Sequence, residues 1–259
     1  MMKKIKGNIK IKTPYKGVFI VLILLLCAFF LRSVLRSDQS LDGQKYIKKL
    51  EAENITSVKS KVMKKKVSLR KQAIEDGKLD VYSLFEDYVF LGDSRVMGYK
   101  NYNLLDSTRV MADTGANIQF VDQHLDEIKN LQPSCVILSY GVNDMGLDLN
   151  SSEGGYGALY EKEVNKILEV DPDAKIYVCS IIPCTPATLE ESPRWANTSK
   201  YNAQLKKICK KNNWTYIDCT SLADGGNAAI YQDDGIHFLS TFYKDWANTI
   251  TSAIMEDEE

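Results

Sequence analysis

The chain has 259 residues, 44% of them hydrophobic, which is enough for one large domain with a sizeable core and further attachments. Its formal net charge of −1 conceals a division, since residues 1–78 hold 19 Lys and Arg against 6 Asp and Glu, whereas residues 79–259 hold 14 against 28. Because residues 79–259 are strongly acidic, they repel phosphates, and nucleic acid is excluded as their expected partner.

A lysine-rich segment and then an apolar one open the chain. Residues 1–16 are basic, residues 17–31 carry no charged side chain, and Arg32 and Arg36 follow. With its flanks, the segment over 17–35 approaches the roughly 20 residues of a membrane span and predicts a transmembrane signal anchor. A cleaved signal peptide is the alternative, but no small-x-small site follows the apolar run. The positive-inside rule then predicts a cytoplasmic tail over 1–16 and an extracytoplasmic location for residues 37–259.

Residues 36–80 are lysine-rich and predict a helical stalk. An imperfect helical stripe of apolar residues runs through it, formed by Ile47, Leu50, Ile55, Val58 and Val62. Gly77 is typical of a helix C-terminus. We interpret the segment as a solvated spacer, with a weak coiled coil or contact of the lysines with anionic lipid or wall polymer as alternatives.

From residue 81 onward, apolar strand patterns alternate with helical ones. Strands are predicted over residues 88–92, 108–115, 135–141, 175–183 and 214–220. Helices are predicted over residues 117–130, 156–170, 197–213 and 239–255. Buried strands that alternate with helices indicate a parallel sheet covered on both faces, so we expect residues 81–259 to form a three-layer α/β/α sandwich.

Polar residues follow several of these strands at their carboxyl ends, where ligands bind in such folds. Ser94 follows the first strand, Gly115 the second, and Asn143 the third. Asp234 and His237 follow the fifth strand after a loop, in the stretch "YQDDGIHFLS". The predicted sheet therefore collects a hydroxyl, an amide, a carboxylate and an imidazole at one edge.

In order and spacing, residues 88–240 resemble the SGNH (GDSL-type) hydrolase family. The nucleophile motif matches "FLGDSRVMGY" with Ser94, the glycine of "ADTGAN" matches at Gly115, "GVND" matches with Asn143, and "DGIH" matches with Asp234 and His237. The resemblance implies a flavodoxin-like fold with a five-stranded parallel sheet. It also implies ester hydrolysis through an acyl-serine intermediate, with no metal and no organic cofactor.

The chemistry of these residues agrees with that implication. A serine hydroxyl is a weak nucleophile and needs a base, which His237 can provide for Ser94. Asp234, three residues before the histidine, can fix the tautomer of its ring. The N–H groups of Ser94 and Gly115 and the side-chain amide of Asn143 can form an oxyanion hole.

Each motif residue also has a structural interpretation. Ser94 is a possible helix N-cap, Asn143 and Asp144 are possible ordinary turn residues, Gly115 a turn glycine, and Asp234 a turn cap. We prefer a catalytic triad because all four motifs occur together in family order.

Three other residues are weighed against that triad. The second histidine, His124, is expected in the middle of a helix, partly exposed and away from any strand end. Arg95 is expected to pair with surface acids and receives no role. Trp195 is a candidate aromatic platform for a sugar or acyl chain, with coverage of the core as the alternative.

Other site types find little support in the sequence. There is no G-x-S-x-G elbow and no P-loop, and two histidines without a Cys-x-x-Cys pair argue against a metal site. Five cysteines lie beyond the anchor, an odd number, so we expect buried or inert thiols, with Cys179 and Cys184 as the only plausible local bridge.

The leading functional hypothesis is a membrane-anchored serine esterase that faces outward and hydrolyses small acyl esters, with O-acetyl groups on carbohydrate as a candidate substrate. An O-acyltransferase acting on cell-wall or surface polysaccharide would use the same triad and is the first alternative. A non-catalytic surface binding module is the second. The sequence leaves the acyl chain length and the oligomeric state open.

Overall fold

The structure, a computed structural model, describes residues 24–26, 29, 45, 46, 48, 49, 55–226 and 228–257. The chain divides into two units, Met1–Val62 and Met63–Glu259. In the first unit, the described residues before residue 50 are helical and those with a described side chain are exposed. The second unit holds the sheet and every residue of the predicted site.

The predicted membrane anchor falls mainly outside the described residues. Of residues 17–35 the structure describes Leu24, Leu25, Leu26 and Phe29, all of them helical. Among the residues that are described, no helix is both long and apolar enough to cross a bilayer. The anchor over residues 17–35 therefore stays a prediction, as does the basic tail over 1–16.

A single parallel sheet organises the second unit. Its strands are β1 (Tyr88–Gly92), β2 (Val110–Ala112), β3 (Cys135–Ser139), β4 (Lys175–Cys179) and β5 (Thr215–Ile217). They lie in the order β2-β1-β3-β4-β5, and every neighbouring pair is parallel. The chain leaves β1 toward β2 on one side and then crosses to β3 on the other. This reversal opens a crevice at the carboxyl end of β1, where ligands bind in such sheets.

From residue 55 onward the α-helices are α1 (Ile55–Glu75), α2 (Ser94–Asn101), α3 (Leu125–Leu131), α4 (Val142–Gly146), α5 (Gly155–Val170), α6 (Pro186–Glu191), α7 (Thr198–Asn212) and α8 (Phe242–Asp257). Short 3-10 turns connect several of them, including Ile118–Gln123 before α3. The alternation of strand and helix follows the predicted pattern.

Side chains that alternate along each strand feed two separate cores. Val89 and Leu91 of β1 belong to one core, together with residues of α3, α5 and α7. Tyr88 and Phe90 of the same strand belong to the other, together with residues of α1, α2 and α8. Helices therefore cover both faces of the sheet, and the predicted three-layer α/β/α sandwich with a five-stranded parallel sheet is confirmed.

Several element boundaries differ from the prediction, and the fourth and fifth strands are both shorter than expected. The second strand was expected over residues 108–115, but its ladder with β1 is limited to Val110–Ala112. The helix expected over residues 117–130 is divided: a 3-10 turn ends at Gln123, and α3 begins at Leu125. His124 therefore lies at a break between two helical segments.

The end of the predicted stalk is packed rather than solvated. Ile74 is 4% exposed and belongs to the core shared with α8, while Arg70 Nη2 donates to Thr251 Oγ1 at 2.7 Å. Lys244 Nζ also donates to the carbonyl oxygen of Ile74 at 3.3 Å. Gly77 follows the helix at a φ of +68°, as its predicted role as a helix stop requires.

The five cysteines of the second unit are all buried, and none of them forms a disulfide. The local bridge considered between Cys179 and Cys184 is absent. Burial raises the pKa of the Cys209 thiol to about 12, so this thiol is far from its reactive form at neutral pH. The expectation of buried thiols is confirmed.

Candidate active site

Ser94 lies where β1 meets α2. Asp93 is the N-cap of α2, and its Oδ1 accepts a hydrogen bond from the Arg95 N–H at 2.9 Å, so the cap role considered for Ser94 belongs to its neighbour. Ser94 is the first residue of the helix, where backbone N–H groups have no partner within the helix and carry partial positive charge. Its hydroxyl and its N–H therefore both lie at the crevice above β1.

A hydrogen-bonded chain joins the three predicted triad residues. Ser94 Oγ lies 2.8 Å from His237 Nε2, and His237 Nδ1 lies 2.6 Å from Asp234 Oδ2. In the tautomer that satisfies both contacts, Nδ1–H donates to the carboxylate and Nε2 accepts from the serine hydroxyl. The structure thus brings together side chains that are 143 residues apart.

The carboxylate of Asp234 is held in its charged form. Partial burial would raise the pKa of this group, but hydrogen bonds from the His237 ring and from the N–H groups of Ile236 and His237 outweigh burial and lower it. Oδ1 accepts those two backbone hydrogen bonds at 2.8 and 2.9 Å. One oxygen therefore shapes the turn while the other orients the imidazole.

A neighbouring segment fixes the turn that bears Asp234. Thr188 Oγ1 donates to the Asp234 carbonyl oxygen at 3.0 Å, and the Thr185 N–H donates to the Gly235 carbonyl oxygen at 3.0 Å. Gly235 has a φ of +63°, and a Cβ there would collide with both threonine side chains. The glycine of the "DGIH" motif is thus required by its conformation and by its packing.

The other two predicted oxyanion donors, Gly115 and Asn143, lie on two adjoining segments. Gly115 has a φ of +77° with open space where a Cβ would be, so its backbone conformation requires glycine more than its surroundings do. Asn143 Nδ2 donates to the Ala116 carbonyl oxygen at 2.8 Å, and a primary amide has a second N–H for another acceptor. This bond joins α4 to the loop that follows β2.

Asp144, next to Asn143, makes a second connection between the same segments. Its Oδ1 accepts a hydrogen bond from the Ile118 N–H at 3.0 Å, while no described residue pairs with its Oδ2. The side chain is fully buried, and burial raises the pKa of the carboxyl to about 7, against the lowering effect of the Ile118 hydrogen bond. Sequence reasoning assigned Asp144 only a turn role.

The site is open to solvent. Ser94 is half-buried, and the side chains of His237 and Asp234 are 37% and 42% exposed. A reacting group attached to a large molecule can therefore reach the serine from outside.

His124 corrects the prediction for the second histidine. It is not in the middle of a helix, and it does lie near a strand end: its Nε2 is 3.0 Å from Oδ2 of Asp113, the residue that follows β2. Its Nδ1 is 2.8 Å from Glu127 Oε2, and its side chain is only 14% exposed. The break before α3 turns the ring toward Asp113, which a continuous helix pattern could not indicate.

Trp195 packs against the core that includes α5 and α7. The Arg194 guanidinium lies 4.4 Å from the centroid of its ring and covers one face. Its indole nitrogen lies beside Gly146, at the end of the helix that carries Asn143. These contacts favour the interpretation that Trp195 covers the core, and a platform for substrate finds no support in them.

Arg95 is the clearest residue that sequence reasoning misplaced. It was expected on the surface beside acids, but it is 4% exposed, and its guanidinium contacts backbone carbonyl oxygens beneath the site. A single sequence contains no signal for this, because an arginine after the serine is compatible with either side of α2.

This constellation, a hydrogen-bonded Ser-His-Asp chain at the crevice of a parallel sheet, defines a class of protein, the serine hydrolases of α/β/α architecture. A sequence model of the GDSL-like lipase/acylhydrolase family matches residues 90–244, a range that includes all five motif residues. The chain belongs to this family, and the protein is an ester hydrolase.

Several solved structures have a similar fold. A lipase/acylhydrolase from Enterococcus faecalis has a TM-score of 0.52 and 16% identity, with 66% of this chain and 97% of that chain covered. A GDSL-like lipase from Bacteroides thetaiotaomicron has a TM-score of 0.50 and 16% identity, covering 73% and 98%. An acetylxylan esterase from Geobacillus stearothermophilus, a catalytic mutant, has a TM-score of 0.50 and 17% identity, covering 65% and 94%. No curated protein matches the chain.

Proposed function

We propose that this protein hydrolyses small acyl esters through an acyl-serine intermediate, with Ser94 as nucleophile, His237 as general base and Asp234 as the residue that orients the ring. The observation that carries the proposal is the continuous hydrogen-bonded chain from Ser94 Oγ through the imidazole to Asp234, with links of 2.8 and 2.6 Å. The distance of 2.8 Å between Ser94 Oγ and His237 Nε2 is within the hydrogen-bonding reach that a nucleophile and its base require.

In the first half-reaction Ser94 Oγ attacks the ester carbonyl carbon while its proton passes to His237 Nε2. The charge of Asp234 stabilises the imidazolium that forms. The tetrahedral intermediate then expels the alcohol, which takes the proton from Nε2. Water repeats the sequence on the acyl-serine and releases the acid.

The negative charge that develops on the carbonyl oxygen needs donors already in place. We assign this task to the N–H groups of Ser94 and Gly115 and to the Asn143 amide. The position of Ser94 at the N-terminus of α2 adds the partial positive charge of the helix end. Two observations support this assignment: the positive φ of Gly115, and the hydrogen bond from the Asn143 amide to Ala116, the residue after that glycine.

For the substrate we propose a short acyl group, such as acetyl, on a carbohydrate. The exposure of His237 and Asp234 supports an ester at the surface of a large molecule, because a bulky alcohol part can remain outside the crevice. The acetylxylan esterase of similar fold is too distant in sequence to bear on the choice. The predicted outward-facing location favours a wall or environmental polysaccharide.

We further propose that residues 17–35 anchor the chain in the membrane with the catalytic unit outside. The uncharged run between six lysines and two arginines supports this proposal. Since the native cysteines of this unit are buried, a cysteine introduced on its exposed surface is labelled on intact cells with a membrane-impermeant reagent. Labelling only after the cells are lysed would contradict the proposal.

The function is tested with the full-length chain and its Ser94→Ala variant. Nitrophenyl esters of increasing chain length and acetylated xylan serve as substrates, and a fluorophosphonate probe reports the reactive serine. We expect hydrolysis and labelling in the wild type, with a preference for acetyl, and neither in the variant. Equal labelling of the variant would contradict the proposal. Acyl transfer to an added glycan that far exceeds acetate release would identify an acyltransferase instead.

A further inference from the structure

Arg95 contacts the catalytic loop on both sides of its histidine. Its Nε donates to the carbonyl oxygen of Ile236 at 2.9 Å, directly before His237. Its guanidinium carbon lies 4.8 Å from the centroid of the Phe238 ring, directly after His237. Since Arg95 also follows Ser94 on α2, one side chain connects the nucleophile's helix to the chain segment that carries the base.

The same guanidinium reaches a third segment, the loop that follows β4. Its Nη1 donates to the Ile182 carbonyl oxygen, and its Nη2 lies 3.4 Å from Cys184 Sγ. This loop continues into Thr185, whose N–H holds the turn beside Asp234. The planar fork of an arginine can bind three segments at once, which a lysine ammonium on its flexible stem cannot do with the same geometry.

The cost of burying this cation indicates that packing alone does not account for it. The partners of Arg95 are carbonyl oxygens, a thiol and an aromatic ring, all of them neutral, and removing a charge from water is expensive when no ion pair compensates. The buried carboxyl of Asp93 interacts with the charge of Arg95, but burial raises the pKa of that carboxyl and Arg95 only partly offsets this. An apolar side chain would fill the position at lower cost.

We propose that Arg95 is a positioning residue for the reaction, and that its guanidinium holds His237 at hydrogen-bonding distance from Ser94 Oγ. The inference rests on the proposed function, since it assumes that His237 serves Ser94 as a base. Thr185 and Thr188 hold the Asp234 end of the loop, and Arg95 holds the His237 end. Without the guanidinium the Ile236 carbonyl oxygen loses this donor, while the hydrogen bonds of the Ile236 and His237 N–H groups to Asp234 Oδ1 remain. The turn therefore stays folded, but the backbone beside His237 shifts and the base loses its alignment with the hydroxyl.

The test compares Arg95→Met and Arg95→Lys with wild type in the full-length chain. A misplacement of about 1 Å costs about 100-fold in rate, so we expect Arg95→Met to lower kcat by about 10- to 100-fold with KM within about twofold. Arg95→Lys, which keeps the charge but loses the fork, should lower kcat by at least about fivefold. Arg109→Met is the matched control, because Arg109 is only partly buried and bonds to the Tyr88 carbonyl oxygen at the far end of β1. The control should retain the wild-type kcat.

Chemical rescue separates positioning from a structural role. We expect millimolar methylguanidine to restore part of the kcat of Arg95→Ala in a saturable way, with no effect on Arg109→Ala. A folded Arg95→Lys variant with wild-type kcat, or a folded Arg95→Ala variant whose lost activity no guanidine restores, would overturn the inference. If Arg95→Met does not fold, the lysine variant and the rescue decide the question.

Ser94→Ala is measured in parallel to keep the two proposals apart. Loss of activity in Ser94→Ala together with wild-type kcat in the Arg95 variants would remove only the positioning role. Full activity in Ser94→Ala would remove the proposed function itself, whatever the Arg95 variants do.

Discussion

The chain's two histidines, His237 and His124, are both held at both ring nitrogens but by different partners. The ring of His237 lies between a carboxylate and the Ser94 hydroxyl, at 2.6 and 2.8 Å. The ring of His124 lies between two carboxylates, those of Asp113 and Glu127, at 3.0 and 2.8 Å. A nitrogen that faces a hydroxyl can accept its proton, whereas neither nitrogen of His124 faces a hydroxyl that it could activate. The comparison teaches that an imidazole can act as a base only where one ring nitrogen faces a hydroxyl, while the other is held by a carboxylate.

The sharpest way to break this comparison is to remove each ring in turn. We expect His237→Ala to lower kcat by about 10⁴- to 10⁶-fold, as for other members of a catalytic triad, with little loss of fold. His124→Ala should change kcat by less than about threefold, because its ring contacts no reacting group. Steady-state hydrolysis of nitrophenyl acetate measures both, and a comparable loss in the two variants would refute the distinction.

The next largest effect is expected from Asn143, the proposed oxyanion donor of the site that contains His237. Asn143→Ala should lower kcat by about 100- to 1,000-fold, the usual cost of one oxyanion donor, while fluorophosphonate labelling of Ser94 persists. Gel-based labelling and steady-state kinetics on the same preparation measure both quantities. A near-normal rate would remove Asn143 from the oxyanion hole.

A stability measurement examines how rigidly the His237 turn is built. Gly235→Ala forces a Cβ against Thr185 and Thr188 at a φ of +63°, so we expect it to lower the free energy of unfolding by about 2 kcal/mol and to reduce kcat as well. Gly77→Ala is the matched control, with a φ of +68° and nothing near its Cβ. It should cost about 1 kcal/mol and leave kcat unchanged. Urea denaturation of both variants separates the steric collision at residue 235 from the backbone strain that the two positions share. Equal losses of unfolding free energy in the two variants would contradict the packing explanation.

The smallest effect concerns a carboxylate with no histidine beside it. Burial raises the pKa of Asp144 to about 7, above its unfolded value of 3.8, so the folded state retains this proton between about pH 4 and pH 7. The contribution to stability is therefore complete below pH 4 and is lost as the pH rises through 7. Asp144→Asn keeps an oxygen for the Ile118 N–H and has no charge to bury. We expect it to be more stable than wild type at pH 8 by about 1–2 kcal/mol.

Melting temperatures of wild type and Asp144→Asn at pH 5 and pH 8 measure that contribution. The wild type should lose stability between the two values, and the variant should lose less. An identical decline in both proteins would show that another group is responsible. Asp234 provides the contrast, since its pKa is lowered and its contribution is lost toward acid pH instead.

The sequence predicted most of the sheet because its strands are buried on both faces and appear as continuous apolar runs. Strand ends were less predictable: β2 is an edge strand whose length depends on a single neighbour, and only three of its residues pair in the ladder. The triad was predictable because its residues follow the strands at one edge of the sheet. The partners of His124 and the burial of Arg95 were not, because both depend on which side of a helical segment meets a distant loop.

The three-residue strand β2 lies at the edge of the sheet and precedes the loop with Gly115. One hydrogen bond donated by Asn143 and one accepted by Asp144 connect that loop to α4. Local unfolding of a short edge strand and its loop requires less free energy than global unfolding. On warming, we expect turnover to cease at a temperature at which circular dichroism still reports an intact protein. The highest temperature at which the enzyme is active would then be set by local unfolding of β2, while the inner strands remain folded.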